Sequence, residues 1–373
     1  MPFDPMKPLA PEIRIIENAI IVPFGEGRAS GIQRPAGVFD ADGRFVEDSQ
    51  CFRNSTLPTT VTPTGPAPEP EGETIPGLWL YGGMLYQHFG HFLLESTGRL
   101  WARAHVGERP EGELFLLKQR VTWPERFVRP MRPMLTLFGA RRKRATGVAT
   151  PVRVERLAVA PQGFGTGDMV AGSPEFRAFT KRRLRRRVTA EGAEKIYISR
   201  TRLFSKRGRY FGEAQMERLF ETEGYRIFHP QEHSIEEQIA QYKAARMIVS
   251  SDSSALHLAA FFAEDGDRVG IVLRRPGNTI DDFLTQFRYF GGAEPDVIDA
   301  LNGRYYQFEG AKLSQMSEIY SELDFPALGQ ALAERGFIRR PQHWSPISAS
   351  DIDTERHDLA TRLGQEIVAA EIQ

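Results

Sequence analysis

The chain has 373 residues, 41% hydrophobic and 26% charged, which is enough for two domains with sizeable cores and incompatible with global disorder. A single cysteine, Cys51, excludes an intramolecular disulfide framework and a cysteine-based zinc site, and makes a reducing compartment the natural expectation. The 48 Lys/Arg and 48 Asp/Glu cancel, yet Lys118–Arg187 holds 18 cations against 4 acids, a local excess of +14. The basic runs Arg141–Arg144 and Lys181–Arg187 suit anionic lipid headgroups, an acidic polysaccharide or nucleic acid, or simply a solvated loop and helix face. No stretch approaches the ~20 apolar residues that span a bilayer. The proline-rich start, Met1–Glu12, does not read as a secretory leader, so a cytoplasmic chain is expected.

In chain order, residues 1–75 read as irregular or short-stranded. A strand is expected over Ile13–Val22, and Leu57–Pro76, rich in Pro, Thr, Gly and Glu, reads as a loop or linker before a strand at Leu78–Tyr81. Apolar Phe89, Phe92, Leu93, Leu94, Leu100 and Trp101 predict a helix over His88–His105. Glu113–Leu117 reads as a buried strand, Pro124–Phe138 as a helix and Val152–Val159 as a strand. Ser173-Pro174-Glu175 is a helix start, with an N-cap hydroxyl, a first-turn proline and an early acid; that helix, 174–188, is expected to connect two lobes.

Beyond it, strands at Lys195–Ser199, Tyr225–Phe228, Arg246–Ser250 and Val269–Leu273 alternate with helices at Glu213–Glu223, Ser234–Ala244 and Ser253–Ala263. This alternation predicts a parallel sheet covered on both faces, with ligands beyond the carboxyl ends of its strands. The expected division is an N-terminal lobe over 1–190, a second lobe over 191–295 and an acidic, partly helical extension over 296–373. That extension either caps the second sheet or crosses back to the first lobe.

Four segments can carry chemistry. In a helix through Tyr86–Glu95, His88, His91 and Glu95 share one face, and His91 and Glu95 are i,i+4 neighbours. A histidine beside a carboxylate is a candidate general base, and Glu95 itself is the alternative. A zinc site is a third reading, disfavoured because metal-binding helices of this kind set two histidines four apart. The cations of Arg200, Arg202, Lys206, Arg207 and Arg209, close behind the strand Tyr197-Ile198-Ser199, suit a phosphate site, against the plain reading of a solvated loop.

Ser250-Ser251-Asp252-Ser253-Ser254 opens an apolar helix, where free backbone N–H groups can receive an anion; plain N-capping by Asp252 or Ser253 is the bland alternative. His257 on that helix reads as a core histidine. Ser234 with Glu237 forms a capping box, and Glu237 is otherwise a carboxylate for a ribose diol.

Taken together, the segments resemble glycosyltransferase family 61 over about residues 78–290. The resemblance is carried by Phe89-Gly90-His91-Phe92-Leu93-Leu94-Glu95 with Arg99 and Leu100, by Tyr197-Ile198-Ser199-Arg200, by Glu237-Gln238-Ile239 and by Ser253-Ser254-Ala255-Leu256. The chain departs from the family pattern at Asp252-Ser253-Ser254, where relatives often read His-Gly-Ala, and at Gly98, where they often have proline. An aspartate at 252 repels a diphosphate unless it points away to cap the helix.

The resemblance implies an α/β, GT-B-like fold of two Rossmann-like lobes with a cleft between them. It implies an inverting transferase that needs no cofactor and no essential metal. Donor-binding roles fall to Arg200, Arg202, Arg207, Ser253, Ser254 and Glu237, catalytic roles to Glu95 and His91, and acceptor-side roles to His88 and Arg99. The implied partners are a nucleotide-sugar donor and an oligosaccharide or lipid-linked acceptor of surface polysaccharide synthesis at the inner membrane face; the basic runs suit peripheral contact with that membrane, and lacking interleaved aromatics and recognised motifs they do not suit nucleic acid. Two rivals remain: a non-catalytic nucleotide- or glycan-binding protein with a decayed donor site, kept open by Asp252 and the basic runs, and a nucleotide-sugar epimerase on the same fold.

Overall fold

The computed structural model describes residues 2–25, 32–70, 72–118, 121–203, 207–277, 280–311 and 318–371. The chain divides into two compact units, Met1–Thr189 and Ala190–Gln373. Both are mixed α/β with parallel strands at their centre.

The first unit is built on six strands: β1 (Arg14–Val22), β2 (Gly37–Phe39), β3 (Ile75–Leu85), β4 (Glu113–Leu117), β5 (Ala145–Val148) and β6 (Val152–Val159), in the order β2-β1-β6-β3-β4-β5. Strands β6, β3, β4 and β5 run parallel, with Leu157 opposite Trp79 and Leu80 opposite Glu113. β1 adds on antiparallel, Ile16 opposite Leu157. The β-branched and aromatic residues of these strands close over a core containing Ile21, Val38, Tyr81, Leu114, Leu116 and Val154. Each such buried side chain contributes about 1.5–3 kcal/mol.

Two expected helices are broken, each for a local reason. Over 88–105 the chain makes α1 (Phe89–His91), a π turn over Phe92–Ser96, and a separate 3-10 turn over Leu100–Ala104. The Thr97 hydroxyl donates to Leu93 O at 2.7 Å, and Ser96 Oγ accepts from Tyr86 N at 2.9 Å. These side chains compete with the helical ladder and turn the backbone away. Over 124–138, Pro130 and Pro133 lack the N–H a helix interior needs, so α2 (Pro124–Val128) and α3 (Arg132–Leu137) flank a 3-10 turn.

The segment read as a linker from Leu57 is also more ordered than expected. Leu57–Pro58 pairs with Phe52–Asn54, and Thr60–Val61 pairs with Arg34–Pro35. The unit closes with α4 (Pro174–Arg187), capped by Ser173, whose hydroxyl accepts from Phe176 N at 3.2 Å. Its early acid, Glu175, receives Leu9 N and Ala10 N at 2.8 and 3.0 Å and straps down the N-terminal segment.

The second unit holds a five-stranded parallel sheet, β7 (Lys195–Ile198), β8 (Arg226–Phe228), β9 (Met247–Ser251), β10 (Arg268–Val272) and β11 (Asp296–Ile298), ordered β8-β7-β9-β10-β11. Ile196 lies opposite Ile248, which lies opposite Val269. Helices α5 (Glu213–Thr222), α6 (Ile235–Ala244), α7 (Ala255–Ala259) and α8 (Ile280–Gly291) alternate with the strands. α7 ends four residues short of the expected Ala263.

Residues 296–373 belong to this unit. Beyond β11 they form β12 (Leu301–Phe308), β13 (Tyr320–Leu323) and β14 (Ile367–Ala370), an antiparallel sheet, with α9 (Phe325–Glu334) and α10 (Ala349–Leu363). Leu328, Leu332 and Phe337, with Trp344 after them, share one core with Tyr197, Val249 and Val272 of the parallel sheet. The C-terminal segment therefore caps the second sheet.

Candidate functional site

In the first unit, β3 delivers the chain to α1 and the π turn. His91 Nδ1 lies 2.5 Å from Glu95 Oε1. The Glu95 side chain is 2% exposed, while that of His91 is 30% exposed. An ionised carboxylate only accepts hydrogen bonds, so a carboxylate at Glu95 selects the neutral imidazole tautomer with its proton on Nδ1 and its lone pair on Nε2. The second Glu95 oxygen is buried and has no hydrogen-bond partner among the described residues.

The Tyr86 ring stands 5.4 Å from that of His91, and its phenol is pushed far above its ordinary range by burial and then by the charge of Glu95. His88 is exposed at the N-cap, where its Nδ1 accepts from His91 N at 3.4 Å, and its ring lies 4.9 Å from that of His91, tilted by 55°.

Arg99 is expected to face an acceptor, but its surroundings give it a different task. It is fully buried, and Nε donates to Ala160 O at 2.9 Å, Nη1 to Gln162 Oε1 at 3.3 Å and Nη2 to Asp48 O at 3.0 Å and to Gln50 O. It clamps the 48–51 loop to the end of β6 and leaves no guanidinium nitrogen without a partner. The glycine before it also has a packing reason. A Cβ on Gly98 would sit 2.7 Å from Phe164 O, and Gly98 O accepts from Gly163 N at 2.8 Å.

In the second unit, the carboxyl ends of the adjacent strands β7, β9 and β10 bring together Arg200, Asp252, Arg274 and Arg275. Arg200 is anchored by its backbone N–H to Glu213 Oε1 at 2.9 Å and by Nη2 to Gly208 O at 3.1 Å. Burial holds its guanidinium below the usual range, against the charge of Glu213. Arg275 Nε donates to Asp252 Oδ2 at 2.9 Å, and Arg274 Nε lies 3.3 Å from Asp252 Oδ1. Burial pushes Arg274 down to about 10.

Asp252 therefore does not cap α7, which has no side-chain cap; its charge is balanced by two arginines. Arg200 Nε and Ser251 Oγ are buried with no hydrogen-bond partner among the described residues, and Arg274 Nε and Asp252 Oδ1 have only their ion pair with each other. Such orphans are uncommon in folded proteins and call for an explanation such as a ligand.

The other expected donor residues are scattered. Ser253 is buried and Ser254 stands at the start of the five-residue α7, too short for a helix-dipole site. Arg202 is exposed and paired with Glu232 at 2.8 Å. Arg207 is exposed, and Ser205 and Lys206 lie outside the described residues. Arg209 binds Thr201 O and Glu355, tying the loop to α10. Glu237 is engaged in the capping box, receiving Ser234 N at 2.7 Å. His257 is a core histidine held by Gln286 at 2.7 Å.

Arg274 and Arg275 were not singled out from the sequence. The signal was available: two cations directly after a buried strand, the same pattern that marked Arg200.

Among the described residues no helix is long and apolar enough to cross a membrane, and no group of three or more His, Cys, Asp or Glu side chains is gathered that could hold a metal ion. Among curated proteins none matches the chain. The model of the family described as Glycosyltransferase 61 matches residues 89–269, a span that opens at α1 and runs into β10. The matched span takes in the His91–Glu95 pair, Arg200 and Asp252, so that through residues 89–269 the chain belongs to glycosyltransferase family 61 and is a glycosyltransferase.

Proposed function

We propose that the chain is an inverting glycosyltransferase that moves a sugar from a nucleotide-sugar donor to a hydroxyl of an oligosaccharide or lipid-linked acceptor, its two units acting as the lobes of a GT-B enzyme. The observation that carries this reading is the His91–Glu95 pair: a half-accessible imidazole whose far nitrogen is free to accept a proton, backed by a buried carboxylate. Of the two candidate bases, burial favours His91. Glu95 is sealed from an incoming hydroxyl and serves to fix the tautomer and stabilise the imidazolium.

In the step itself, His91 Nε2 takes the acceptor proton as the hydroxyl oxygen bonds to the anomeric carbon. The bond from that carbon to the diphosphate oxygen breaks, and its electron pair leaves with the nucleoside diphosphate. Arg200, Arg274 and Arg275 are suited to balance the leaving charge, and the supporting donor-side roles are kept for Arg202, Arg207, Ser253, Ser254 and Glu237. His88 stands on the acceptor side of His91. Asp252, the residue that kept a non-catalytic reading open, no longer argues for it, because it is neutralised by Arg274 and Arg275. The basic face of α4, with Arg182, Arg186 and Arg187 exposed, supports contact with an anionic membrane surface during synthesis of a surface polysaccharide.

The test is thermal unfolding of the purified chain with UDP, GDP, CMP and their sugars, followed by assay of the release of the matching nucleotide with glycan acceptors. A ligand confined to the folded state stabilises by about 2.7 kcal/mol at ~100 times its dissociation constant. One nucleotide should raise the midpoint, and Arg200→Ala should abolish the rise. A folded chain that no nucleotide stabilises would not have the donor site described.

A further inference from the structure

Beside the His91–Glu95 pair, wholly within the first unit, lies a cavity of about 240 Å³ whose lining carries three cations, Arg34, Arg53 and Lys118. The rest of its wall is Phe24, Ile32, Thr59 and Tyr86, with no carboxylate among these residues. Two small strand pairings build it. Arg34 is placed by pairing with Thr60, and its backbone N–H donates to Thr59 O at 3.2 Å. Arg53 sits in the Phe52–Asn54 strand. Lys118 follows the last residue of β4, its Nζ 5.4 Å from the centre of the Tyr86 ring. Tyr86 is the shared wall, since its other neighbour is the imidazole of His91 at 5.4 Å.

Three features point to an occupant. The convergence of cations selects an anion, and the buried Nε of Arg53 has no hydrogen-bond partner among the described residues. Phe24, Ile32 and Tyr86 give the wall an apolar part beside the cations. The volume falls below the ~300–1,000 Å³ typical of sites for larger ligands, so it suits one sugar unit and not a whole nucleotide sugar.

We infer that this cavity is an acceptor subsite that holds an acidic sugar unit, one bearing a carboxylate or phosphate group, next to the hydroxyl that His91 deprotonates. The inference rests on the reading of His91 as the acceptor base. In this arrangement Arg53 and Lys118 bind the oxyanion, Arg34 adds to the field, and Tyr86 separates the anion from Glu95. An acceptor whose sugar is neutral would leave Arg53 and Lys118 without an oxyanion to bind, so the pocket acts as a selector for acidic glycans.

The test is calorimetric titration of the full chain with glucuronate, glucose and inorganic phosphate, at low and high sodium chloride. Glucuronate should bind at least ~10-fold more tightly than glucose and weaken with salt. Arg53→Gln and Lys118→Gln should each weaken glucuronate by ~10-fold or more, as expected for loss of a charge-assisted hydrogen bond. Lys118 is exposed, so its substitution decides the matter if Arg53→Gln proves unfolded. Binding of phosphate without glucuronate would assign the anion to a phosphate-bearing acceptor.

Equal binding of glucose and glucuronate, or variants that bind glucuronate as the parent does, would overturn the proposal. So would variants that lose UDP and keep glucuronate. Because the readout is binding, a chain that holds glucuronate here but transfers no sugar would count against His91 as the base and leave the pocket's assignment standing.

Discussion

The guanidinium of Arg275 donates from Nε to Oδ2 of Asp252 across 2.9 Å, at the point where two neighbouring parallel strands end. With Arg274 on the other carboxylate oxygen, one acid holds a buried and a half-buried cation at the carboxyl end of the sheet. The cluster has a net positive charge even before Arg200 is counted, so it keeps an appetite for an anion that a fully balanced cluster would lack.

Asp252→Ala should therefore destabilise the free protein by about 3–5 kcal/mol, the usual result of removing one partner of a buried ion pair. UDP should restore part of that loss, since its diphosphate supplies the missing negative charge. Urea unfolding with and without UDP measures both effects. A smaller UDP stabilisation in the variant than in the parent would contradict an anion site at these arginines.

Glu95→Gln keeps the size and one acceptor of the side chain but not its charge. Turnover is expected to fall by about 10²–10³-fold, because the imidazolium formed at His91 loses its counter-ion. Nucleotide binding, read by thermal shift, should be retained. A variant with parental kcat would remove Glu95 from the catalytic pair.

Gly98→Ala tests the packing account of the glycine before Arg99. A methyl group 2.7 Å from Phe164 O cannot be relieved by a side-chain rotation, since the obstacle is backbone. A loss of about 1–3 kcal/mol is expected from such overpacking, read as a lower urea midpoint with unchanged slope. A neutral outcome would mean that the 163–164 loop yields freely.

His229 gives a pH dependence with a definite sign. Burial holds its imidazole below the ordinary value of 6.5, against the pull of Glu217. As pH falls through about 6.5, the unfolded chain takes up a proton that the folded chain refuses. Stability is therefore fully present above pH 6.5 and is lost as pH falls toward the depressed folded value. Urea midpoints from pH 7.5 to 5 should show this decline in the parent and a shallower one in His229→Gln. Parallel profiles would show that His229 does not contribute.

Much of the fold follows from local patterns. The second sheet was legible because its strands are continuous apolar runs separated by capped helices, so Lys195–Ile198, Met247–Ser251 and Arg268–Val272 were each expected within a residue or two. The first unit was harder. β5 is only four residues long, contains Gly147 and follows a run of cations, so it carries almost no strand signature. The helix expected over 88–105 breaks at Ser96–Gly98, where tertiary hydrogen bonds to Tyr86 and Gly163 override the apolar spacing.

The candidate site divides the same way. The His91–Glu95 contact depends only on the spacing of neighbouring residues and was readable. The burial that separates a base from its supporting acid, the clamp made by Arg99, and the pairing of Asp252 with residues 22 and 23 positions away are products of folding. The short pairings at Arg34–Pro35 and Phe52–Asn54 were hidden among turn-forming residues, and with them the cationic pocket.

The π turn at Phe92–Ser96 ties stability to activity in a way that engineering would expose. A π turn carries one residue more per turn than an α-helix and is the less favourable geometry, often kept at functional sites. Deleting one residue between Phe92 and Glu95 would let the segment relax toward a regular helix and would bring Glu95 from four to three residues beyond His91, so that the carboxylate meets the imidazole at a changed height and angle. Selection for thermal robustness alone would favour such a deletion, whereas selection for turnover would oppose it. The irregular turn is thus the place where a hardened variant of this protein would first be expected to fall silent.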